Sequence, residues 1–336
     1  MRLLAGLMAL ILAGTAQSAD KIRVGMIGLD TSHSLAFTKV MNASEEEPLK
    51  SCEVIAAYPH GSPDIESSVS RIPKYTAEMR ELGVEIVDDI PTLLTKVDAV
   101  LLETNDGRPH LKQVTPVLKA GKPCFIDKPV AGSLVDCLAI FKLAAHYKTP
   151  VFSSSSLRYG QNTQDARNGS LGKINGCSTW SPCSLETTHP DLFWYGIHGV
   201  EILFTVMGPG VETVTRTQTD DFELVTGIWN NGRIGSFRGI RMGKSGYGGM
   251  AFGSKSLGPV GNYDGYAPLV EEIAKFFHTR VVPVDPAETI DIYTFMEAAD
   301  ESKRQGFVPV QVSEVLKKAE ATAQAQVDAI ISRDSE

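Results

Sequence analysis

The stretch Ile22-Arg23-Val24-Gly25-Met26-Ile27-Gly28-Leu29-Asp30-Thr31-Ser32-His33 decides how the first half of this chain folds. An apolar run ends at Gly28 and gives way to Asp30, Thr31 and Ser32, side chains that cap helices. The transition recurs. Short apolar runs at Cys52 to Tyr58, Val84 to Val87, Ala99 to Glu103, Cys124 to Ile126 and Val151 to Ser153 alternate with amphipathic stretches. In Arg108 to Ala120 the apolar residues Leu111, Val114, Val117 and Leu118 recur at helical spacing, with Gly121 as a C-cap. Ser133 caps the next helix, whose apolar face is Leu134, Leu138, Phe141 and Leu143.

Strands that are apolar along their whole length are buried on both faces, as in a parallel sheet covered by crossover helices. Residues 19–159 are therefore expected to form an α/β domain, a Rossmann-like doubly wound parallel sheet with its ligands at the carboxyl ends of the strands. After Tyr159 the pattern changes. A helix from about Asp191 to Met207 precedes alternating segments at Val211 to Thr219, Phe222 to Trp229 and Arg233 to Ile240, with Asn231-Gly232 as a turn. A glycine-rich stretch, Gly243 to Gly265, separates them from helices at Ala267 to His278, Glu288 to Gly306 and Ser313 onward. Residues 160–336 are expected to form an α+β domain with an open, mainly antiparallel sheet, a face suited to self-association.

The N-terminus reads as an export signal. Arg2 precedes the apolar run Leu3 to Leu12, and Ala16-Gln17-Ser18 supplies small residues for cleavage after about Ser18. That run is shorter than the ~20 residues a permanent membrane helix needs. The expected location is the periplasm or the exterior, with no stable membrane insertion. Five cysteines, Cys52, Cys124, Cys137, Cys177 and Cys183, lack the spacing of a zinc site or a disulfide framework, and only Cys177 and Cys183 are close enough in sequence to suggest one bridge. With 32 basic against 40 acidic residues, a net charge of -8, the chain lacks the basic surface that nucleic acids or anionic membranes require. A small molecule is the expected partner.

The doubly wound half beginning at Val24-Gly25-Met26-Ile27-Gly28, the stretch Ala120-Gly121-Lys122-Pro123-Cys124-Phe125-Ile126-Asp127-Lys128-Pro129 and a helix carrying His198 together resemble the Gfo/Idh/MocA oxidoreductases. The resemblance implies NAD- or NADP-dependent interconversion of hydroxyl and ketone on a sugar or polyol. It also places Lys128 and His198 beside the reacting carbon. Asp127 stands where the family has Glu before the Lys. The carboxylate that the family commonly has four residues before the His is Trp194 here, so Asp191 or Tyr195 would stand in for it.

The residues read the same way without the resemblance. Lys128, at the carboxyl end of a buried strand and followed by Pro129, sits at the crevice mouth, where it can exchange a proton with a hydroxyl. Its bland alternative is a surface lysine paired with an acid. For His198, the alternative is a satisfied core histidine. Asp30, His33, Glu103, His110 and Asp127 also fall at strand ends in this register, and the resemblance places them, with Gly28, Thr31 and Asn105, on the cofactor side.

In that loop, Asp30 and His33 replace the second and third glycines of a dinucleotide fingerprint. A carboxylate would repel a pyrophosphate. Tyr58-Pro59-His60 also replaces the acid expected to hold the adenosine ribose. A second reading is therefore a non-redox carbohydrate enzyme, a lyase, hydratase or hydrolase, using Asp30, His33 and His60 as acid and base groups or as ligands of a divalent metal. Capping of the helix beginning near Ser34 by Asp30, Thr31 or Ser32 is the structural alternative.

Overall fold

The computed structural model describes residues 21–333. The expected export segment lies outside them. Strands β1 (Ile22–Ile27), β2 (Cys52–Tyr58), β3 (Glu85–Ile86), β4 (Ala99–Leu102), β5 (Cys124–Ile126) and β6 (Val151–Ser153) form a six-stranded sheet in the order β3-β2-β1-β4-β5-β6. All its pairings are parallel. Helices α1 (Ser32–Ala43), α2 (Glu66–Glu81), α3 (Ile90–Lys96), α4 (His110–Lys119) and α5 (Leu134–His146) connect them. The reversal of strand order between β1 and β4 opens a crevice at their carboxyl ends. Capping fixes where the helices begin: the Thr31 hydroxyl accepts from His33 N, and Ser133 Oγ accepts from Asp136 N at 3.1 Å.

The second half contains α6 (Gln161–Arg167), β7 (Ile174–Pro182), α7 (Asp191–Trp194), α8 (Ile197–Met207), β8 (Val211–Gln218), β9 (Phe222–Trp229) and β10 (Ile234–Ile240). It continues with β11 (Gly248–Gly253), β12 (Leu257–Val260), α9 (Ala267–Thr279), α10 (Pro286–Arg304), β13 (Val310–Gln311) and α11 (Val312–Arg333). Its seven-stranded sheet has the order β12-β11-β7-β10-β9-β8-β13, antiparallel except for the β7–β10 pair. Strand β7 was not expected, because Asn175, Gly176, Ser178 and Pro182 read as turn residues. Part of the glycine-rich stretch, to which the sequence assigned no element, is the hairpin of β11 and β12. The helix expected from Asp191 to Met207 is broken at Tyr195, whose φ of -134° is not helical.

Helix α8 is buried along its whole length against the inner face of this sheet. The approach is close at Gly199, where a Cβ would lie 2.3 Å from the Phe237 ring. The outer face carries Trp180, Leu224, Ile228, Ile234, Met250, Phe252 and Leu257, all exposed. The boundary expected at Tyr159 divides the sheets but not the cores. Leu269, Ile273, Phe276 and Phe277 of α9 return to the first sheet and share a core with Met26, Phe37, Phe125 and Phe152. Helices α10 and α11 pack on α5. All five cysteines are buried and unpaired, so Cys177 and Cys183 are not bridged, and Cys183 donates to Glu223 Oε1 at 3.1 Å instead.

Candidate active site

A cavity of about 240 Å³ lies at the carboxyl ends of the parallel strands and is closed over by the second half of the chain. Thr31, Ser32 and His33 of the α1 start, Asn105 after β4, Lys128 after β5 and Ser156 and Leu157 after β6 form its floor. Tyr195, His198, Tyr247, Tyr263 and Tyr266 form its roof, and Arg71 of α2 stands at one side. The volume lies below the ~300–1,000 Å³ typical of larger ligand pockets, so it suits one sugar ring or the reactive end of a longer molecule.

The floor is built by close approach of two loops. Gly28 has φ of +97°, and a Cβ there would lie 2.3 Å from Thr104 N, so only glycine permits the β1 and β4 ends to meet. Asp30 does not face the crevice. Its side chain is fully buried, Oδ1 accepts from Asn105 N at 2.9 Å, and the Ser68 hydroxyl donates to Oδ2. Burial pushes its carboxyl up to about 6, against the pull of those hydrogen bonds. The repulsion expected between Asp30 and a phosphate is thus removed by turning the carboxylate inward, where it ties the β1, β4 and α2 segments together. The helix-capping alternative is met by Thr31.

His33 Nδ1 lies 2.7 Å from Asp127 Oδ2, and its ring stacks on Phe37 and meets Tyr266 edge-on. Lys128, buried, has its Nζ 3.8 Å from the same Asp127 oxygen. Burial works to raise the Asp127 carboxyl, but His33 and Lys128 hold it well below the usual range. Glu103 lies behind the cavity floor with no exposure, and neither of its carboxylate oxygens has a hydrogen-bond partner. Its carboxyl is pushed well above the usual range by burial and then by Asp127.

The roof supplies His198. Its Nδ1 lies 2.8 Å from Ser155 Oγ, and Tyr195 packs against it edge-on with centroids 5.1 Å apart. Burial, then the charge of Lys128 and the proximity of His33, hold it well below the usual histidine value, so the imidazole is neutral at ordinary pH. Tyr195 and Tyr247 hydroxyls are 3.2 Å apart.

Several expected site residues are elsewhere. Asp191 accepts from Arg216 at 2.7 Å and Lys303 at 2.6 Å, and the break at Tyr195 takes it out of register with His198, so it is a structural ion-pair partner. His110 is fully buried below the floor, with Nε2 2.8 Å from the Thr104 carbonyl, and braces the β4 loop instead of facing a cofactor. His60 stacks on Tyr58, and neither it nor Asp30 shares a donor cluster with His33 among the described residues. Trp194 packs on His189. Arg158 is buried between Glu201 and Glu288, at 2.6 Å from each. Sequence reasoning missed Arg71, Ser155, Tyr247, Tyr263 and Tyr266. The one available signal was aromatic side chains in a glycine-rich stretch, Tyr247 and Tyr263-Asp264-Gly265-Tyr266.

The residues present fit the phosphate and nicotinamide end of a dinucleotide. Thr31 and Ser32 offer the positive end of α1, Arg71 adds a cation beside it, and the acid in the fingerprint faces away. Residues 22–154 match the family described as "Oxidoreductase family, NAD-binding Rossmann fold" (GFO_IDH_MocA). No curated protein matches the chain by sequence. Among solved structures, a probable dehydrogenase from Thermotoga maritima superposes with a TM-score of 0.72 at 19% identity, covering 88% of this chain and 100% of its own. Scyllo-inositol dehydrogenase from Lactobacillus casei, solved with NAD(H) and scyllo-inositol, gives 0.70 at 15% identity over 88% of this chain and 100% of its own. GenD2 from gentamicin A biosynthesis, solved with NAD, gives 0.70 at 15% identity over 90% of this chain and 99% of its own. Residues 22–154 thus match the NAD-binding Rossmann domain of the Gfo/Idh/MocA oxidoreductases, and the chain as a whole shares the two-domain fold of these structures.

Proposed function

We propose that this protein interconverts a hydroxyl and a ketone on a sugar or polyol, using NAD or NADP. The observation that carries the reading is the meeting of Lys128, from the first domain, and a neutral His198, from the second, on one small cavity. A nicotinamide ring, when bound, takes up or returns the hydride. The chain's own residues handle the proton. With Nδ1 engaged by Ser155, His198 has Nε2 left to accept the hydroxyl proton during oxidation. The Lys128 ammonium donates a hydrogen bond to the same oxygen, stabilising negative charge on it as the carbonyl forms. The tyrosine faces of the roof suit the C–H faces of a sugar ring, and their hydroxyls suit its oxygens.

The test is nucleotide titration of the purified protein by intrinsic fluorescence, followed by a polyol panel read by NAD(P)H absorbance. Binding of either nucleotide with oxidation of a cyclic polyol supports the reading. Failure of both nucleotides to bind refutes it.

We also infer self-association through the outer sheet face, where an apolar row pairs most readily with a second copy of itself about a two-fold axis. Export is proposed on the N-terminal segment alone, and N-terminal sequencing of the protein recovered outside the cytoplasm tests it. No helix among the described residues is long and apolar enough to cross a membrane.

A further inference from the structure

We propose that His33, Glu103 and Asp127 form a binding site for a divalent transition-metal ion in the inner wall of the cavity. The three residues follow β1, β4 and β5, so the sheet itself brings them together. One ring nitrogen of His33 and one carboxylate oxygen from each acid lie within 4.8 Å of one another. Ligands of one zinc ion, each at about 2.0–2.2 Å, stand roughly 3–4 Å apart, so a small contraction suffices.

The independent observation is Glu103. It is fully buried, aims into the cluster, and leaves both oxygens without a partner, as Asp127 leaves Oδ1. A buried carboxyl without a partner is unfavourable, and a metal bond would offset that cost. Asp127 is suited to bridging, because Oδ2 already serves His33 and Lys128 while Oδ1 is free.

Charge and donor type agree. The Asp127 carboxylate lies beside the Lys128 ammonium, and Glu103 would supply a second carboxylate on giving up its proton to a bound cation. Imidazole with carboxylates favours zinc or manganese over magnesium or calcium. His33 and Lys128 both line the cavity, so a position left open by the three protein ligands would be reached from the substrate space, where a sugar oxygen would complete the shell. This site goes beyond the redox reading and stands or falls without nucleotide.

The experiment is calorimetric titration of Zn²⁺ alone into protein first stripped with chelator, in the absence of nucleotide, with Mg²⁺ as control. The expected result is one Zn²⁺ per chain, no comparable uptake of Mg²⁺, and at least tenfold weaker Zn²⁺ binding in Glu103→Gln. A second measurement needs no variant: Co²⁺ added to the stripped wild type should give visible absorption bands that Zn²⁺ abolishes. Absence of stoichiometric Zn²⁺ uptake overturns the proposal, as does equal uptake by Glu103→Gln or a Co²⁺ spectrum identical to that of the aqueous ion.

Discussion

Ser155 Oγ sits 2.8 Å from His198 Nδ1, a contact between the strand-end loop of the first domain and the helix of the second. It fixes the imidazole before any ligand arrives. Because burial and the neighbouring Lys128 and His33 hold His198 neutral, the acid limb of kcat/KM should fall below pH 6.5 and not at it. Stability follows the same sign: below pH 6.5 the unfolded chain takes up a proton that the folded chain refuses, so the folded state weakens as pH falls. A limb at or above pH 6.5 would mean that His198 is not the titrating base. Ser155→Ala should lower kcat about tenfold with little change in KM.

Lys128→Ala removes the cation from the cavity while His33, at 2.7 Å, still pairs with the Asp127 carboxylate. Turnover should fall roughly 10²–10⁴-fold while the melting temperature changes little. Unchanged turnover in stopped-flow assays would take Lys128 out of the mechanism.

Asp30→Asn tests the inward-turned carboxylate. With a folded value of about 6 against 3.8 unfolded, Asp30 contributes stability that is present below pH 3.8 and lost as pH rises through 6. Denaturant unfolding of both proteins should therefore show the variant gaining on the wild type by about 2 kcal/mol between pH 4 and pH 7, because each tenfold difference in proton affinity between the folded and unfolded chain is worth about 1.4 kcal/mol. A difference independent of pH would refute the assignment.

Arg158→Ala strips a cation from between two buried acids, Glu201 and Glu288. Removing one partner of a buried ion pair typically costs about 3–5 kcal/mol. Chemical denaturation should show a loss of that order, against less than about 1 kcal/mol for removing Lys21 from its exposed pair with Glu53.

Ile234 and Ile228 face each other across β10 and β9 on the outer sheet face, exposed by 57% and 46%. Sedimentation should give a mass above that of one chain for the wild type, and Ile228→Lys with Ile234→Lys should reduce it to one chain. A monomeric wild type would remove this face as an interface.

The parallel sheet was legible because each of its strands is a buried apolar run with a helix-capping residue or loop behind it, as at Ser133 and Thr31. Lys128 and His198 were legible through their position at a strand end and on a glycine-bounded helix. What the sequence hid is orientation. Nothing in Gly28-Leu29-Asp30 tells which way Asp30 points, because its partners Ser68 and Asn105 are 38 and 75 residues away. Asp191 misled because helical spacing was carried through Tyr195, where the backbone leaves the helix. Strand β7 was invisible because its Gly, Ser and Asn residues have low β-propensity, and pairing on both sides overrides it.

The return of α9 to the first sheet makes the two halves inseparable. A chain cut at Tyr159 would keep every parallel strand yet leave Phe37, Phe125 and Phe152 without the helix that shields them from water. Such a fragment should precipitate, and grafting the nucleotide half onto another partner would have to bring α9 along. The unit that evolution can exchange here is not the stretch before residue 160 but a discontinuous piece, joined by the same helix that follows Tyr266 from the cavity roof.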